Sequence, residues 1–146
     1  MSIRRIHVFI SHAWAYSQHY NTLATWIFRE RWSTGQASLD FHDYSVPKDN
    51  PIHNAPSAQA LRDAIFNQIS RSHVVVIPSG MYATYSKWIQ KEIDGAKLYK
   101  KPILAVNPWG QERRAGVVLS NSDTGVGWNK NSIVNAIWNL FYTRTS

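Results

Sequence analysis

His73-Val74-Val75-Val76-Ile77, stopped by Pro78-Ser79-Gly80, is the stretch that decides the fold. Four consecutive β-branched apolar residues bounded by a proline-glycine break predict a short strand buried on both faces. The chain then changes period. Ser86 to Tyr99 reads as a helix, and Pro102-Ile103-Leu104-Ala105-Val106, ended by Asn107-Pro108, reads as the next buried strand. Upstream, Ile6-His7-Val8-Phe9-Ile10 is a similar apolar run that ends at Ser11-His12.

The remaining segments continue the alternation. Tyr20 to Trp32 carries Leu23, Ala24 and Ile27 at helical spacing, and Ser38 to His42 reads as a second strand. Tyr44 to Pro56, with Pro47, Asp49, Asn50, Pro51 and Asn54, reads as a long loop. Ser57 is placed to cap a helix whose Ala58, Leu61, Ile65 and Ile69 fall on one face. Trp109 to Asn129 has no clear period, although Gly116-Val117-Val118-Leu119 suggests a short edge strand. Asn131 to Tyr142, with Ile133, Ile137, Leu140 and Phe141, reads as a closing helix. Strands alternating with helices imply an α/β flavodoxin-like three-layer sandwich with a central parallel sheet. No linker or internal repeat divides residues 1–146, so a single domain is expected.

Composition narrows the chemistry. With 44% hydrophobic residues the chain is expected to fold. It contains no cysteine, which removes disulfides, thiolate nucleophiles and thiolate metal sites. Met1-Ser2-Ile3-Arg4-Arg5 runs straight into the first strand, and no apolar run near membrane-spanning length follows. A soluble, cytoplasmic protein with no membrane partner is the expectation. The net charge of +7 favours an anionic partner such as a nucleotide, a nucleic acid or an acidic surface. The basic residues are scattered, with modest clusters at Arg4-Arg5, Lys97 to Lys101 and Arg113-Arg114. Ordinary solvated lysines and arginines are the favoured account of such a pattern, and a nucleic-acid partner is not expected.

In open α/β sheets ligands bind outside the carboxyl ends of the strands. Here those ends are Ser11 to Trp14, Asp43 to Ser45, Ser79 to Met81 and Asn107 to Trp109. The helix beyond the third carries Trp88 and Glu92, four apart and so on one face. The chain has three glutamates, Glu30, Glu92 and Glu112, which makes Glu92 the first candidate for acid chemistry. The alternative for Glu92 is a solvated carboxylate paired with Lys87 or Lys91. Trp88 reads equally as a pocket wall or as core packing. Ser11, His12, Ala13 and Trp14 would form the pocket floor, against turn capping for His12 and packing for Trp14. Asp43, Tyr44 and Ser45 would bound the cleft, against local backbone bonding. Tyr82 and Tyr85 are further cleft candidates, and nothing places Lys48 or Arg113-Arg114.

Other chemistries lack their motifs. No G-x-G-x-x-G follows the first strand, and no G-x-x-x-x-G-K-[ST] occurs. The six histidines, His42 and His53 near Asp43 included, have no tight ligand spacing, so no metal is expected. A response regulator needs acids after the first strand, where this chain has Ser11-His12.

Three segments together carry a family resemblance. His7-Val8-Phe9-Ile10-Ser11-His12 resembles the first-strand box of TIR domains. Trp88-Ile89-Gln90-Lys91-Glu92-Ile93 resembles the tryptophan-to-glutamate motif of NAD-consuming TIR domains. Asp43-Tyr44-Ser45-Val46-Pro47 to Asn50-Pro51 resembles the TIR-like subfamily of small bacterial proteins, and departs from receptor-type TIR domains after Asp43. The resemblance spans nearly the whole chain and points to small stand-alone proteins of the Thoeris ThsB type. It implies an NAD+ glycohydrolase or ADP-ribosyl cyclase, with NAD+ as substrate and no separate cofactor. It implies that Glu92 serves cleavage of the nicotinamide–ribose bond, with Ser11, His12, Ala13, Trp14, Asp43, Tyr44, Ser45, Tyr85 and Trp88 binding substrate. It further implies self-association through TIR contacts, and a nucleotide product that switches on a separate effector in antiphage defence. The competing classes are a TIR scaffold or nucleotide sensor without turnover, and a basic nucleic-acid-binding domain that has only charge behind it.

Overall fold

The computed structural model of the chain describes residues 2–11, 18–45, 58–79, 82–107 and 116–145. Within these lie β1 (Ser2–Ile10), α1 (Gln18–Ala24) continuing as a π-helical turn (Thr25–Arg29), β2 (Trp32–Thr34) and β3 (Ala37–Asp43). They are followed by α2 (Ala58–Ser70), β4 (Val74–Pro78), α3 (Tyr82–Leu98), β5 (Ile103–Asn107), α4 (Gly116–Asn121), β6 (Thr124–Gly127) and α5 (Lys130–Thr145). One six-stranded sheet has the order β2-β3-β1-β4-β5-β6. All neighbours run parallel except β2 and β3. The expected parallel sheet therefore carries one antiparallel edge.

Two apolar layers sandwich the sheet. Ile6, Val8 and Ile10 of β1 point into a core with Leu23, Ile27, Ile133 and Ile137, beneath α1, the π turn and α5. Phe9, Val75 and Ile77 point the other way, onto Ile65, Ile69, Ile89 and Ile93 of α2 and α3. The period-two alternation of side chains along each strand divides the residues this way. All five residues of β4 and of β5 are buried, as their apolar runs predict. Gly95 lets α2 and α3 approach: a Cβ there would lie 3.0 Å from Phe66.

Two segments differ from the sequence reading. The helix expected to reach Trp32 ends at Arg29. Trp32 instead opens β2, and its indole N–H donates to the Trp26 carbonyl at 2.7 Å, satisfying an acceptor that the helix end leaves over. Thr34 pairs with Ala37, so Gly35-Gln36 is a two-residue hairpin loop, with Gly35 at φ 55°. Gly116 to Leu119 is helical, not an edge strand, and Val118 is buried against the α2–α3 side of the core. The edge strand is β6, which pairs with β5 from Leu104↔Thr124 to Asn107↔Gly127. Short apolar runs do not distinguish strand from buried helix, and the two glycines of β6 hid it. The long loop after Ser45 and its cap Ser57 lie outside the described residues.

The connections place the crevice. From β1 the chain moves to β3 on one side, then crosses to β4 on the other. The switch in strand order therefore falls between β1 and β4. Ser11 follows β1 at that point, and α3 leaves β4 beside it.

Candidate functional site

Ser11 extends β1 by one ladder bond, its N–H donating to the Val76 carbonyl at 2.9 Å. That bond fixes its hydroxyl at the switch point. The hydroxyl donates to Glu92 Oε1 at 2.5 Å across the crevice. Glu92 has 0% exposure and Ser11 1%. The solvated reading of Glu92 is thereby corrected: the carboxylate is sealed in and tied to β1. On α3, Ile89, Ile93 and Ala96 pack on the sheet. Glu92 lies at the border of that stripe, and Trp88, one turn earlier on its face, is half-buried.

A second group of bonds surrounds the end of β3. Ser45 is buried, and its Oγ accepts the N–H of Ile10, the residue before Ser11, at 2.9 Å. The Ser45 N–H donates to Asp43 Oδ1 at 2.9 Å, and the Gln68 side chain on α2 donates to the Ser45 carbonyl at 3.1 Å. Asp43 Oδ2 accepts a short hydrogen bond from the Tyr20 hydroxyl on α1. Burial, then the Asp43 hydrogen bond and charge, push the Tyr20 phenol well above its ordinary range. Tyr20 and Asp43 also line an open cavity of about 420 Å³ with Asn21, Thr25, Phe28 and Arg29.

The structure thus brings Ser11 and Glu92 together, and Ser45 bonds the backbone of Ile10, the residue before Ser11. Asp43 sits at the crevice rim, with both its oxygens bonded. Tyr44 instead stacks its ring on His7 of β1, at 4.1 Å and 15°. Tyr85 lies on α3, but its side chain is outside the described set, and His12, Ala13 and Trp14 are outside it altogether. Sequence reasoning missed Tyr20 and Gln68. Both sit on elements that were read as helices, but nothing in a helical period says which polar tip reaches a neighbouring strand end. Among the described residues no group of three or more histidines, aspartates or glutamates is arranged to hold a metal ion. Nor is any described helix long and apolar enough to cross a membrane.

The mostly parallel six-stranded sheet flanked by helices is consistent with a flavodoxin-like TIR fold. The chain belongs to the family described as Thoeris protein ThsB, TIR-like domain, which matches residues 9–113 and ties it to Thoeris antiphage defence. No curated protein sequence matches it. Among solved structures it is similar to the FeoB G-domain of Methanococcus jannaschii, with TM-score 0.57 and 10% identity over 97% of this chain and 99% of that one. It is also similar to translation elongation factor SelB of Methanococcus maripaludis in complex with the GTP analogue GppNHp. There the TM-score is 0.57 at 10% identity, covering 98% of this chain and 34% of that one. At such identity the likeness shows the fold alone.

Proposed function

We propose that this protein cleaves NAD+ at the bond between nicotinamide and ribose, as an NAD+ glycohydrolase or ADP-ribosyl cyclase. The observation that carries the reading is the buried Glu92 carboxylate at the switch point, held by the Ser11 hydroxyl. Nicotinamide leaves a cationic ring as a neutral base, so its departure needs little protonation. What the reaction needs is a carboxylate that holds the ribose hydroxyls and steadies an oxocarbenium-like transition state. Glu92, once opened to substrate and ionised, would supply that charge, and a low-dielectric setting would strengthen it. Trp88 would wall the nicotinamide and ribose, with Tyr85 beside it. Ser11, His12, Ala13 and Trp14 would form the floor, and Asp43, Tyr44 and Ser45 the rim. On this reading Ser45 positions Ser11.

Substrate reaches Glu92 only when its cover opens, since the carboxylate has no exposed surface. A closed resting state fits a defence protein whose turnover waits on self-association or a trigger. The product would be an ADP-ribose-derived nucleotide, cyclic or conjugated, that activates a separate effector protein. The same sealed pair favours one other reading: a structural tie between α3 and β1 in a non-catalytic scaffold or nucleotide sensor.

The test is nicotinamide release from NAD+ by concentrated protein, with products separated by chromatography and weighed. Glu92→Gln keeps an acceptor for Ser11 and removes the charge. We expect turnover in the wild type and a loss of at least about 100-fold in the variant. Equal turnover in both would move the chemistry away from Glu92. Absence of turnover in both, also in lysate of phage-infected cells, would favour the scaffold or sensor.

A further inference from the structure

At the end of the sheet opposite the crevice, β1 outruns its neighbour. It pairs with β3 from Ser2↔Ala37 to Val8↔Asp43, but with β4 only from Val8↔Val74 onward. The bonding alternates along the strand. Val8 offers its carbonyl to Tyr44 on the β3 side, whereas His7 and Ser11 bond toward β4. By the period of a strand, Ile3 and Arg5 aim their N–H and C=O groups to the β4 side as well. Below His73 no described strand pairs with that side: the chain turns off into α2 through Arg71 and Ser72, whose N–H groups bond back to Gln68 and Ile69, and the Arg71 carbonyl meets the His7 ring at 3.0 Å. Among the described residues no hydrogen bond reaches the main chain of Ile3 or Arg5 from there. His73 closes the slot, its N–H donating to the His7 carbonyl at 2.7 Å and its Nδ1 accepting the His7 N–H at 2.9 Å.

The surroundings of the slot are cationic, and the apolar Ile3 beside it also lines a cavity with β3 and the π-helical turn. Ile3 is 68% exposed, the most of any large hydrophobic described. Arg4 lies over the Trp138 ring on the α5 face, with its guanidinium carbon 6.0 Å from the centroid. Arg5 and Arg71 are exposed, and the Lys101 charge reaches His73 from the start of β5. The carboxylate in register with Arg5 is Asp40, on the β3 side and already bonded to His42 at 2.9 Å.

We propose that this open half of β1 accepts an extended, acidic segment of another protein, which adds as a strand beneath β4. Main-chain donors and acceptors in a row are satisfied by another peptide backbone, not by a nucleic acid or a lipid. The surrounding cations select acidic side chains. A second copy of this chain is disfavoured, because pairing β1 with β1 would set Arg4 and Arg5 against their own counterparts on a chain of net charge +7.

The probe is a fluorescein-labelled heptapeptide of alternating glutamate and valine, titrated into the full chain and read by anisotropy and by amide shifts. Binding is expected below about 100 μM, the range of small strand-addition contacts, with the Ile3 and Arg5 amides shifting most. A lysine–valine peptide and a backbone N-methylated glutamate–valine peptide should bind at least about 10-fold more weakly. Ile3→Pro removes an outward N–H without touching the β3 pairing, and should weaken the acidic peptide by a similar factor at unchanged melting temperature. Arg4→Glu with Arg5→Glu should do the same through charge. No binding, indifference to N-methylation, unchanged binding by Ile3→Pro, or preference for a single-stranded oligonucleotide of equal charge would each overturn the proposal. So would a dimer in sedimentation that Ile3→Pro dissolves, since the occupant would then be a second copy.

Discussion

His73 shows how much a single ring can hold. Its Nδ1 accepts the His7 N–H, which requires an unprotonated nitrogen there. The His7 ring lies 4.7 Å away and Phe141 4.9 Å away. Burial first, then the charges of His7 and Lys101, bring the His73 pKa down to about 4. The folded value lies below the unfolded one, so between about 6.5 and 4 the unfolded chain binds the extra proton. Stability from this group is therefore complete above about pH 6.5 and falls as pH drops toward 4. The ring is only partly buried, so solvent screening holds the effect to about 1 kcal/mol. His73→Asn offers an acceptor where Nδ1 stood and does not titrate. We expect the wild type to lose about 2–4 °C more than this variant in thermal melts between pH 7.5 and pH 5. Equal losses would assign the acid sensitivity elsewhere. None of this was legible in the sequence, where His73 is simply the polar lead-in to a strand. Glu92 was legible in part. Its helix, its place after β4 and its shared face with Trp88 follow from spacing. Its burial does not, because only the crossover from β3 to β4 brings Ser11 against it.

Elements were legible where one period ran long enough. β4, β5 and the helices α2, α3 and α5 have strong apolar patterns, and the structure has them within a few residues of where spacing puts them. The failures cluster where a segment is short and its partner distant in sequence. β2 spans three residues and exists because Gly35 turns it back onto β3. β6 exists because β5 offers it an edge, and Ile103 donates its N–H to Asp123 just ahead of it at 2.8 Å. Packing between helices has a similar hidden term at Gly95. Alanine there would gain about 1 kcal/mol of helix propensity. Its Cβ would meet Phe66 at 3.0 Å and Ile69 at 3.1 Å, however, and overpacking costs about 1–3 kcal/mol. We expect Gly95→Ala to destabilise by about 1 kcal/mol in urea unfolding. Placed on Phe66→Leu, where the ring is gone, the same change should be neutral or stabilising. Strict additivity in that double-mutant cycle would show that Phe66 is not the obstacle.

At the scale of the whole molecule, the likeness to GTP-binding domains separates fold from function. The sheet superposes well enough to give TM-scores of 0.57 with the FeoB G-domain and with SelB bound to a GTP analogue. SelB holds there a GTP analogue that this chain has no P-loop to bind. A P-loop needs glycines whose backbone N–H groups cradle phosphates, and a lysine that reaches them. After β1 this chain reads Ser11-His12-Ala13-Trp14, its first glycine is Gly35, and its first lysine is Lys48. What occupies the switch point is a buried carboxylate with a serine on it, which would repel a triphosphate pressed against it. Function belongs to the site rather than to the sheet that carries it. We therefore expect a fluorescent GTP analogue to show no saturable binding up to about 100 μM, and GTP turnover to stay at background with or without magnesium. Saturable binding that magnesium strengthens would mean that the chain holds phosphates through residues other than a P-loop. The strand-end crevice would then have to be read as a nucleoside-triphosphate site, with Glu92 as a metal ligand rather than a partner for ribose.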